Sequence, residues 1–331
     1  MKALGIDTSN YVTSVALVDE EGEVVKDLRT TLPVPKGERG LRQSEALFHH
    51  TRNLPILLEA ALADGGSDLA AVVVSSRPRR VTGSYMPVFL SGSSQARTLA
   101  AALKIPWIER SHQEGHLFAA LASCGSQFEP GQFLGVHLSG GTTELLKVTL
   151  SPMQPFLEVE LLGGSSDLHA GQFIDRVGVA LGLPFPAGPA LEKLAEEGTG
   201  ICRLSTSLDG LNPSFSGPAT QALRLIEDGT PAAEVALAVQ NAVVKMLEKW
   251  LTRAHEITGL NNVLLSGGVV ANQYLRQRLP QRLRKRGTDL ILNFAESRLS
   301  GDNAVGLAFS YWYPNLKQLR CQEKGGYYGQ H

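Results

Sequence analysis

A pattern of three short strands occurs twice in this sequence, and it limits the fold more than any other feature. Each predicted strand is rich in apolar or β-branched residues and is bounded by turn residues. In chain order, the six strand segments are 2–8, 13–19, 23–30, 133–141, 143–150 and 157–164. A repeat of this kind predicts two similar α/β halves that face each other, each with a loop at the cleft between them.

Helical segments follow the first set of strands. Leucines recur with helical spacing over about 44–64, and an Ala-rich helix is predicted over 91–104, with a buried strand at 68–76 between them. A chain of 331 residues is long enough for two domains. We therefore expect an N-terminal lobe at 1–130 and a C-terminal lobe at 131–331.

Small-residue loops follow three of the predicted strands, at Asp7–Asn10, Ser139–Thr142 and Ser266–Gly268. A glycine pair lets backbone N–H groups approach an anion closely, and a helix that follows adds a favourable partial charge for phosphate. One such loop is ordinary turn chemistry. Three such loops, in a chain whose three-strand pattern occurs twice, favour the actin, sugar-kinase and Hsp70 ATPase (ASKHA) fold. In this fold two α/β lobes surround a nucleotide cleft. Neither a Walker loop nor a Rossmann glycine pattern is present.

The composition narrows the class of protein. Hydrophobic residues make up 43% and charged residues 19%, as in ordinary soluble domains. A net charge of −1 gives no global basic field, so a nucleic acid would need a local patch or a helper protein. Three cysteines without a CxxC pair indicate neither a disulfide framework nor a cysteine zinc site. The first residues lack a basic segment followed by a long apolar run, so we expect no signal peptide, no membrane contact and a cytoplasmic location.

The segment SHQEGH, at Ser111–His116, contains two histidines four residues apart. On a helix, positions i and i+4 lie on one face, so His112 and His116 could bind one metal ion. The alternative is a polar pair at the start of a surface helix. The segment reads HxExH, with Glu114 in third place, whereas zinc proteases carry HExxH, which disfavours a metalloprotease.

Six segments, which include this one, carry a resemblance to a known family. They read ERSHQEGHLFAAL, VHLSGGTTELLKV, AGQFIDRVGVALGLPFPAGPALEKLA, PSFSGPAT, LLSGGVVANQYLR and SGDNAVGLA. In this order and at about this spacing they resemble the TsaD/Gcp family over essentially the whole chain. The resemblance implies transfer of a threonylcarbamoyl group from its adenylate to the adenosine beside the anticodon of tRNA. Members were once described as O-sialoglycoprotein endopeptidases.

The resemblance also implies ligands and partners. It implies one Fe or Zn ion per subunit, acting as a Lewis acid on His112, His116 and Asp302. It implies an adenine nucleotide (ATP or ADP) or threonylcarbamoyl-AMP as ligand, and tRNA, a TsaB-like paralogue and a TsaE-like ATPase as partners. The implied nucleotide and substrate contacts are Leu138, Ser139, Gly140, Gly141, Thr142, Asp175, Gly188 and Asn272.

Two of these roles have a structural alternative. Asp175 would accept ribose hydroxyls, while backbone N–H groups around Gly140 would donate to a phosphate or carboxylate. Taken singly, however, each residue is better explained by a structural role, Asp302 as a helix N-cap and Asp175 as a surface acid on its helix.

Four stretches depart from the family pattern. An acidic pair after the first strand is replaced by Tyr11 and Val12, and a glycine-rich stretch after the fourth strand is replaced by SSRPRRVTGS. The latter contains Arg77, Arg79 and Arg80, which suit either a phosphate contact or a solvated loop. In addition, Thr142 stands for a histidine and Ala219 for a lysine.

Loss of the acidic pair changes the proton-transfer options of the site and leaves three functions open. The first is the tRNA transferase. The second is a catalytically altered paralogue that binds nucleotide and acts as a partner or regulatory subunit, or on another acceptor. TsaB-like paralogues have this character but lack the two-histidine helix that this chain retains. The third is a small-molecule kinase of the same fold, with Asp7 in its first loop.

Overall fold

The computed structural model describes residues 1–9, 11–33, 41–63, 68–124, 128, 130–151, 153 and 156–325. Asn10, at the end of the first predicted loop, lies outside the described residues. The chain forms two compact units. Unit 1 comprises Met1–Phe128, Ser151–Phe156 and Asp302–His331, and unit 2 comprises Glu129–Leu150 and Leu157–Gly301. The predicted lobes at 1–130 and 131–331 do not anticipate that the chain returns to unit 1 at Asp302.

Strands and helices alternate along the chain. The strands are β1 (Lys2–Asp7), β2 (Val12–Asp19), β3 (Val24–Thr31), β4 (Leu69–Arg77), β5 (Trp107–Ser111), β6 (Gly131–Leu138), β7 (Thr143–Leu150), β8 (Leu157–Gly164), β9 (Ser207–Asp209), β10 (Asn212–Ser214), β11 (Asn262–Ser266) and β12 (Ile291–Phe294). The helices are α1 (Gln43–Leu62), α2 (Phe89–Leu103), α3 (His112–Cys124), α4 (Ala170–Ala180), α5 (Gly188–Ala195), α6 (Ser216–Glu227), α7 (Ala232–Thr258), α8 (Gln273–Lys285), α9 (Ser297–Ser300) and α10 (Val305–Gly325).

The two large sheets have the same topology, which confirms the repeat predicted from the sequence. In unit 1 the strand order is β3-β2-β1-β4-β5, and in unit 2 it is β8-β7-β6-β11-β12. In each sheet the three strands of the repeat pair antiparallel, and the first of them continues into two parallel neighbours. Such mixed sheets need helices on both faces, because the parallel strands are buried.

One face of the unit 1 sheet is covered by α1 and α2. Leu4 and Ile6 of β1 and Val72 and Val74 of β4 point to this face, since alternate residues of a strand share a side. They pack against apolar residues that recur every three or four positions on the helices, which are Leu54, Leu57, Leu58, Ala61, Ala96 and Ala100. The helices predicted at 44–64 and 91–104 are therefore confirmed within a few residues.

The other face of this sheet is covered by α10, which also packs closely on α3. The indole Nε1 of Trp312 donates to the carbonyl oxygen of Val18 at 3.0 Å, which anchors α10 to β2. A Cβ placed on Gly306 would lie 1.9 Å from the carbonyl oxygen of Gly115, so only glycine permits this approach of the two helices. The contact brings the chain just before α10 alongside the start of α3.

Unit 2 is built around the long helix α7. Its apolar side chains pack against the sheet and against α4, α5, α6 and α8, and Trp250 at its centre is fully buried. The Trp250 Nε1 donates to the carbonyl oxygen of Leu211 at 2.8 Å, which satisfies the one polar atom of that side chain. None of the described helices combines the length and the apolar run that a bilayer crossing requires.

Candidate metal centre and glycine loops

A capping box fixes the start of α3. The Ser111 backbone N–H donates to Glu114 Oε2 at 2.7 Å, and the Glu114 N–H donates to Ser111 Oγ at 3.2 Å. This reciprocal pair satisfies two backbone donors that would otherwise lack partners at a helix N-terminus. Helix α3 therefore begins at His112, and the two histidines of SHQEGH lie one turn apart on one face, as the sequence predicts.

Three candidate ligand atoms converge beside this turn. His112 Nε2 lies 2.9 Å from His116 Nε2, and Asp302 Oδ1 lies 3.6 Å and 3.3 Å from these two nitrogens respectively. Metal–nitrogen bonds of about 2.0–2.1 Å in tetrahedral zinc sites place neighbouring ligand atoms about 3.3 Å apart. The spacing of the three atoms therefore fits a small transition metal such as Zn or Fe.

The exposure of the three side chains differs. The His116 side chain is buried, with 8% exposed, whereas those of His112 and Asp302 are 22% and 23% exposed. Protein therefore covers one side of the cluster and solvent reaches the other, as an open coordination position requires. Among the described residues, these three side chains form the group of His, Cys, Asp or Glu that could hold a metal.

A buried carboxylate holds the second nitrogen of His112. Asp7, at the end of β1, accepts a hydrogen bond from His112 Nδ1 at 3.2 Å. The hydroxyls of Ser9 and Ser75 also donate to Asp7, which is 1% exposed. With Nδ1 committed to Asp7, the Nε2 of His112 faces His116 and Asp302. A carboxylate in this position is a common second partner of metal-binding histidines, because it fixes the ring orientation.

Electrostatics within the cluster couple these groups. Burial acts to lower the pKa of His112, but the adjacent Asp7 and then Asp302 raise it to about 9. Burial acts to raise the pKa of Asp7, and the His112 imidazole holds it below its ordinary value. Burial and the charge of His112 lower the pKa of His116. The cluster therefore contains one imidazole that favours a positive charge and one that favours the neutral form, which is the form that binds metal.

Asp302 lies three residues before Val305, the first residue of α10, so it does not occupy the N-cap position itself. The cap-type hydrogen bond at the start of α10 is made by Asn303, whose Oδ1 accepts from the Val305 N–H at 3.0 Å. Asp302 instead faces the two histidines of α3. Its role as a metal ligand, like that of His112 and His116, stays a prediction, although its position agrees with that role.

The glycine loop after β6 presents its backbone to solvent. The Ser139 N–H donates to the Thr142 carbonyl oxygen at 2.8 Å, which closes a tight turn. Gly140 and Gly141 lie at its exposed tip, where an added Cβ would meet no atom within 4 Å. The N-terminus of α4 adjoins the turn, because the Gly171 N–H donates to the Ser139 carbonyl oxygen at 3.1 Å. Exposed glycine N–H groups beside a helix N-terminus can bind a phosphate.

In the loop after β11, the first glycine is needed for backbone packing. Gly267 has a φ of +98°, and a Cβ there would lie 2.2 Å from the Leu138 carbonyl oxygen. Gly267 is therefore needed for the close approach of the two loops, whereas Gly268 has open space around it. The side chain of Leu138 is buried in the core, so only its backbone can contact a ligand.

The remaining predicted nucleotide contacts have partners within unit 2. Asp175 Oδ1 accepts from the Ala187 N–H at 2.7 Å, just before Gly188, and burial raises the pKa of this carboxyl. Asn272 Oδ1 accepts from the Leu275 N–H at 2.8 Å and so caps α8. The Gln273 N–H donates to Glu192 Oε1 at 2.6 Å, which joins the start of α8 to α5. Hydrogen bonds and close contacts thus link the predicted residues, and their role in binding stays a prediction.

The departures from the family pattern occupy ordinary structural positions. The Tyr11 carbonyl oxygen accepts from the Leu32 N–H at 2.7 Å, and Val12 begins β2. Ala219 is buried in α6. The site residue that the sequence did not reveal is Asp7 in its role as partner of His112. These residues lie 105 positions apart, and no local pattern links them.

Comparisons of the sequence with known proteins point to one family. The sequence model of the family described as tRNA N6-adenosine threonylcarbamoyltransferase matches residues 33–309. A protein of that name from Methanopyrus kandleri is 31% identical over 314 residues, which cover 94% of this chain and 86% of the relative.

Solved structures show the fold. The activator of the 2-hydroxyisocaproyl-CoA dehydratase from Clostridium difficile, with bound ADPNP, superposes with a TM-score of 0.55 at 14% identity, covering 97% of this chain and 98% of that chain. A ROK family glucokinase from Streptomyces griseus, in complex with glucose and AMPPNP, gives 0.51 at 13% identity, with coverage of 93% and 98%. The predicted ASKHA-type fold is therefore confirmed.

Proposed function

Because this chain belongs to the tRNA N6-adenosine threonylcarbamoyltransferase family, we propose that it transfers a threonylcarbamoyl group from threonylcarbamoyl-AMP to the adenosine beside the anticodon of tRNA. The observation that carries this proposal is the convergence of His112, His116 and Asp302. A cytoplasmic location is part of the proposal. A TsaB-like paralogue and a TsaE-like ATPase are the proposed protein partners.

The proposed reaction replaces an acyl–oxygen bond by an acyl–nitrogen bond. The bond between the carbamoyl carbon and the adenylate oxygen breaks, and AMP leaves with the electron pair. A bond forms from that carbon to N6 of adenosine, which releases one proton to water. A Fe or Zn ion on the three ligands would supply a Lewis acid. Asp7 contributes by keeping the imidazole of His112 in one orientation through the hydrogen bond to Nδ1.

The nucleotide part of the substrate is assigned to unit 2. The N–H groups of the exposed Gly140 and Gly141 would donate to the phosphate or carboxylate of the adenylate, that of Gly141 in exchange for its 3.3 Å hydrogen bond to Ser139 Oγ. Asp175 would accept from ribose hydroxyls with the oxygen that does not already accept from Ala187. The adenine nucleotide analogues named for the two solved structures of this fold support the assignment of a nucleotide ligand.

Two observations bear on the other candidate functions. The absence of carboxylates at Tyr11 and Val12 favours, as the second candidate, an altered paralogue that binds the adenylate but transfers slowly or to another acceptor. The small-molecule kinase is disfavoured because Asp7 is buried and accepts hydrogen bonds from His112, Ser9 and Ser75. A carboxylate so engaged is poorly placed to act as the base for a substrate hydroxyl.

A reconstituted transfer assay tests the proposal. Purified protein, the partner subunits, threonylcarbamoyl-AMP and tRNA are combined, and the modified nucleoside is quantified after digestion of the tRNA. We expect formation of modified adenosine, and its loss in His112→Ala. Tight binding of the adenylate without modification of tRNA would instead support the altered paralogue. Absence of both activities in a folded protein would reject the proposed function.

A further inference from the structure

Three arginines lie at one end of the unit 1 sheet, beside the first turn of α3. Arg77 ends β4, and its strand partner is Ser111, which directly follows Arg110 in β5. Arg80 belongs to the loop after β4, and its Nη1 lies 3.7 Å from Glu114 Oε1. We call Arg77, Arg80 and Arg110 the arginine patch. None of its members is used by the proposed metal or nucleotide site.

Some of the hydrogen-bond donors of the patch have no acceptor among the described residues. The Nε atoms of Arg77 and Arg110 are buried and find no hydrogen-bond partner among the described residues. Burial lowers the pKa of Arg110; the nearby Glu114 opposes this effect, and Arg80 adds to it. Glu114 pairs with Arg80 of the patch, and it already accepts from Ser111 in the capping box.

Buried donors of this kind are costly unless something satisfies them. A guanidinium group offers a planar fork of donors that matches the oxygens of a phosphate. Two of these groups, those of Arg80 and Arg110, lie near the carboxylate of Glu114. Together with Arg77 they suit a phosphate group better than a carboxylate side chain or a metal.

The loop that contains Arg80 also exposes two apolar side chains. Tyr85 and Val81 are 62% and 61% exposed. The loop is held by hydrogen bonds, because the Ser84 N–H donates to the Val81 carbonyl oxygen at 3.2 Å and the Gln113 N–H donates to the Pro78 carbonyl oxygen at 3.1 Å. Proteins that bind unpaired bases stack them on aromatic side chains beside positively charged groups.

We propose that the arginine patch and Tyr85 bind a single-stranded segment of the RNA acceptor. The guanidinium groups of Arg77, Arg80 and Arg110 bind a backbone phosphate, and the ring of Tyr85 stacks on a neighbouring base. The inference deepens the proposed function and rests on it, since it assigns a surface for the tRNA acceptor. It also resolves how a chain with a net charge of −1 contacts RNA, namely through a local patch.

RNA binding by the full-length chain, measured with fluorescence-labelled tRNA at several salt concentrations, tests the inference. Arg80→Gln should weaken binding and reduce the magnitude of the slope of log K against log salt, by at most about 0.7, the value for loss of one whole phosphate contact on a single strand. Arg77→Lys keeps the charge but loses the fork, so it should weaken binding and leave the slope unchanged. Tyr85→Ala should weaken binding at least about fivefold, also with an unchanged slope.

Arg284→Gln is the matched control, because Arg284 is an exposed arginine of α8 in unit 2. It should leave both affinity and slope unchanged. An equal loss in Arg284→Gln and Arg80→Gln would show that any surface arginine contributes, and it would overturn the proposal. Failure of the wild-type chain to bind tRNA would overturn it as well.

Inorganic phosphate and the transfer assay separate the remaining outcomes. Thermal protection by inorganic phosphate that Arg77→Lys abolishes, together with wild-type RNA affinity in all variants, would assign the patch to a free phosphate and overturn the proposal. Loss of RNA affinity in the patch variants supports the inference even if no transfer occurs, in which case only the proposed function fails. Transfer by a wild-type chain whose patch variants bind RNA equally well contradicts the inference alone.

Discussion

The loops that follow β1 and β6 occupy the same place in two sheets of identical topology, yet they are chemically opposite. In unit 1, Asp7, Thr8 and Ser9 are at most 2% exposed, and the carboxylate is bonded to His112. In unit 2, Gly140 and Gly141 are exposed and offer only backbone groups. The same scaffold thus supplies a buried side-chain charge in one unit and exposed glycines in the other. We infer that the first loop supports a metal and the second receives a ligand.

The largest expected effect is loss of the metal, which tests whether the first loop supports a metal site. His112→Ala removes one of three protein ligands, so bound Fe or Zn should fall from about one equivalent to none. Elemental analysis of purified protein measures this directly. His49→Ala, in α1, removes a histidine outside the cluster and should retain the metal. Protein that contains no transition metal, or a His112→Ala variant that retains it, would contradict the assignment.

The next effect concerns the residues beside the first loop. If an acidic pair assists transfer, Tyr11→Asp with Val12→Glu should raise the rate of tRNA modification, by up to about 10²–10⁴-fold, the usual contribution of a general acid or base. Affinity for threonylcarbamoyl-AMP should change little, because the pair acts on the rate of transfer.

The reconstituted assay, with partner subunits supplied, measures the rate, and the conservative double change Tyr11→Phe with Val12→Ile serves as the control. A wild-type rate equal to that of a standard family member would show that these positions do not limit catalysis. In that case acids at positions 11 and 12 would have no part in the difference between the two loops.

Much of this comparison could be predicted from the sequence. The strand repeat is visible because alternating apolar residues and short turns are local signals. The position of His112 and His116 on one helical face follows from their spacing and from the SxxE capping box that begins α3. Asp302 came only from the resemblance to the family, because nothing local links SGDNA to a helix about 190 residues earlier.

Other features depend on contacts between segments that are distant in the sequence, and no local sequence pattern indicates such contacts. The return of the chain to unit 1 depends on Gly306, which reads as an ordinary glycine until its approach to Gly115 is known. The hydrogen bond between Asp7 and His112 joins the end of β1 to the first residue of α3, and these two elements are far apart in the chain. Tertiary packing decides both, and periodicity in one segment carries no information about a partner in another.

The second loop can be tested with Gly140. A Cβ at Gly140 meets no protein atom, so Gly140→Val should fold normally and yet block close approach of a phosphate. Adenine nucleotide at a hundredfold excess over its Kd should stabilise the wild-type chain by about 2.7 kcal/mol, and the variant should lose this protection.

Thermal unfolding with and without nucleotide measures the difference, and Gly217→Val, at another open position, is the control. Gly267→Val is unsuitable for this purpose, because the positive φ and the contact with Leu138 would disturb the fold itself. Equal protection in Gly140→Val and the wild type would show that the nucleotide binds elsewhere.

The smallest effect, and the one that sharpens the comparison most, concerns Asp7. Asp7→Asn keeps the shape of the side chain but removes the charge that faces His112 Nδ1, so the ring loses the partner that fixes its orientation. Metal affinity should fall by about 10–100-fold while the ligands themselves remain. Competition titration with a chelating dye measures this affinity without any need for turnover. Asp68→Asn, which removes an exposed carboxylate of the same unit, should bind metal as the wild type does. If Asp7→Asn binds metal with wild-type affinity, the buried carboxylate serves only the packing of its strand end, and the first loop has no part in the metal site.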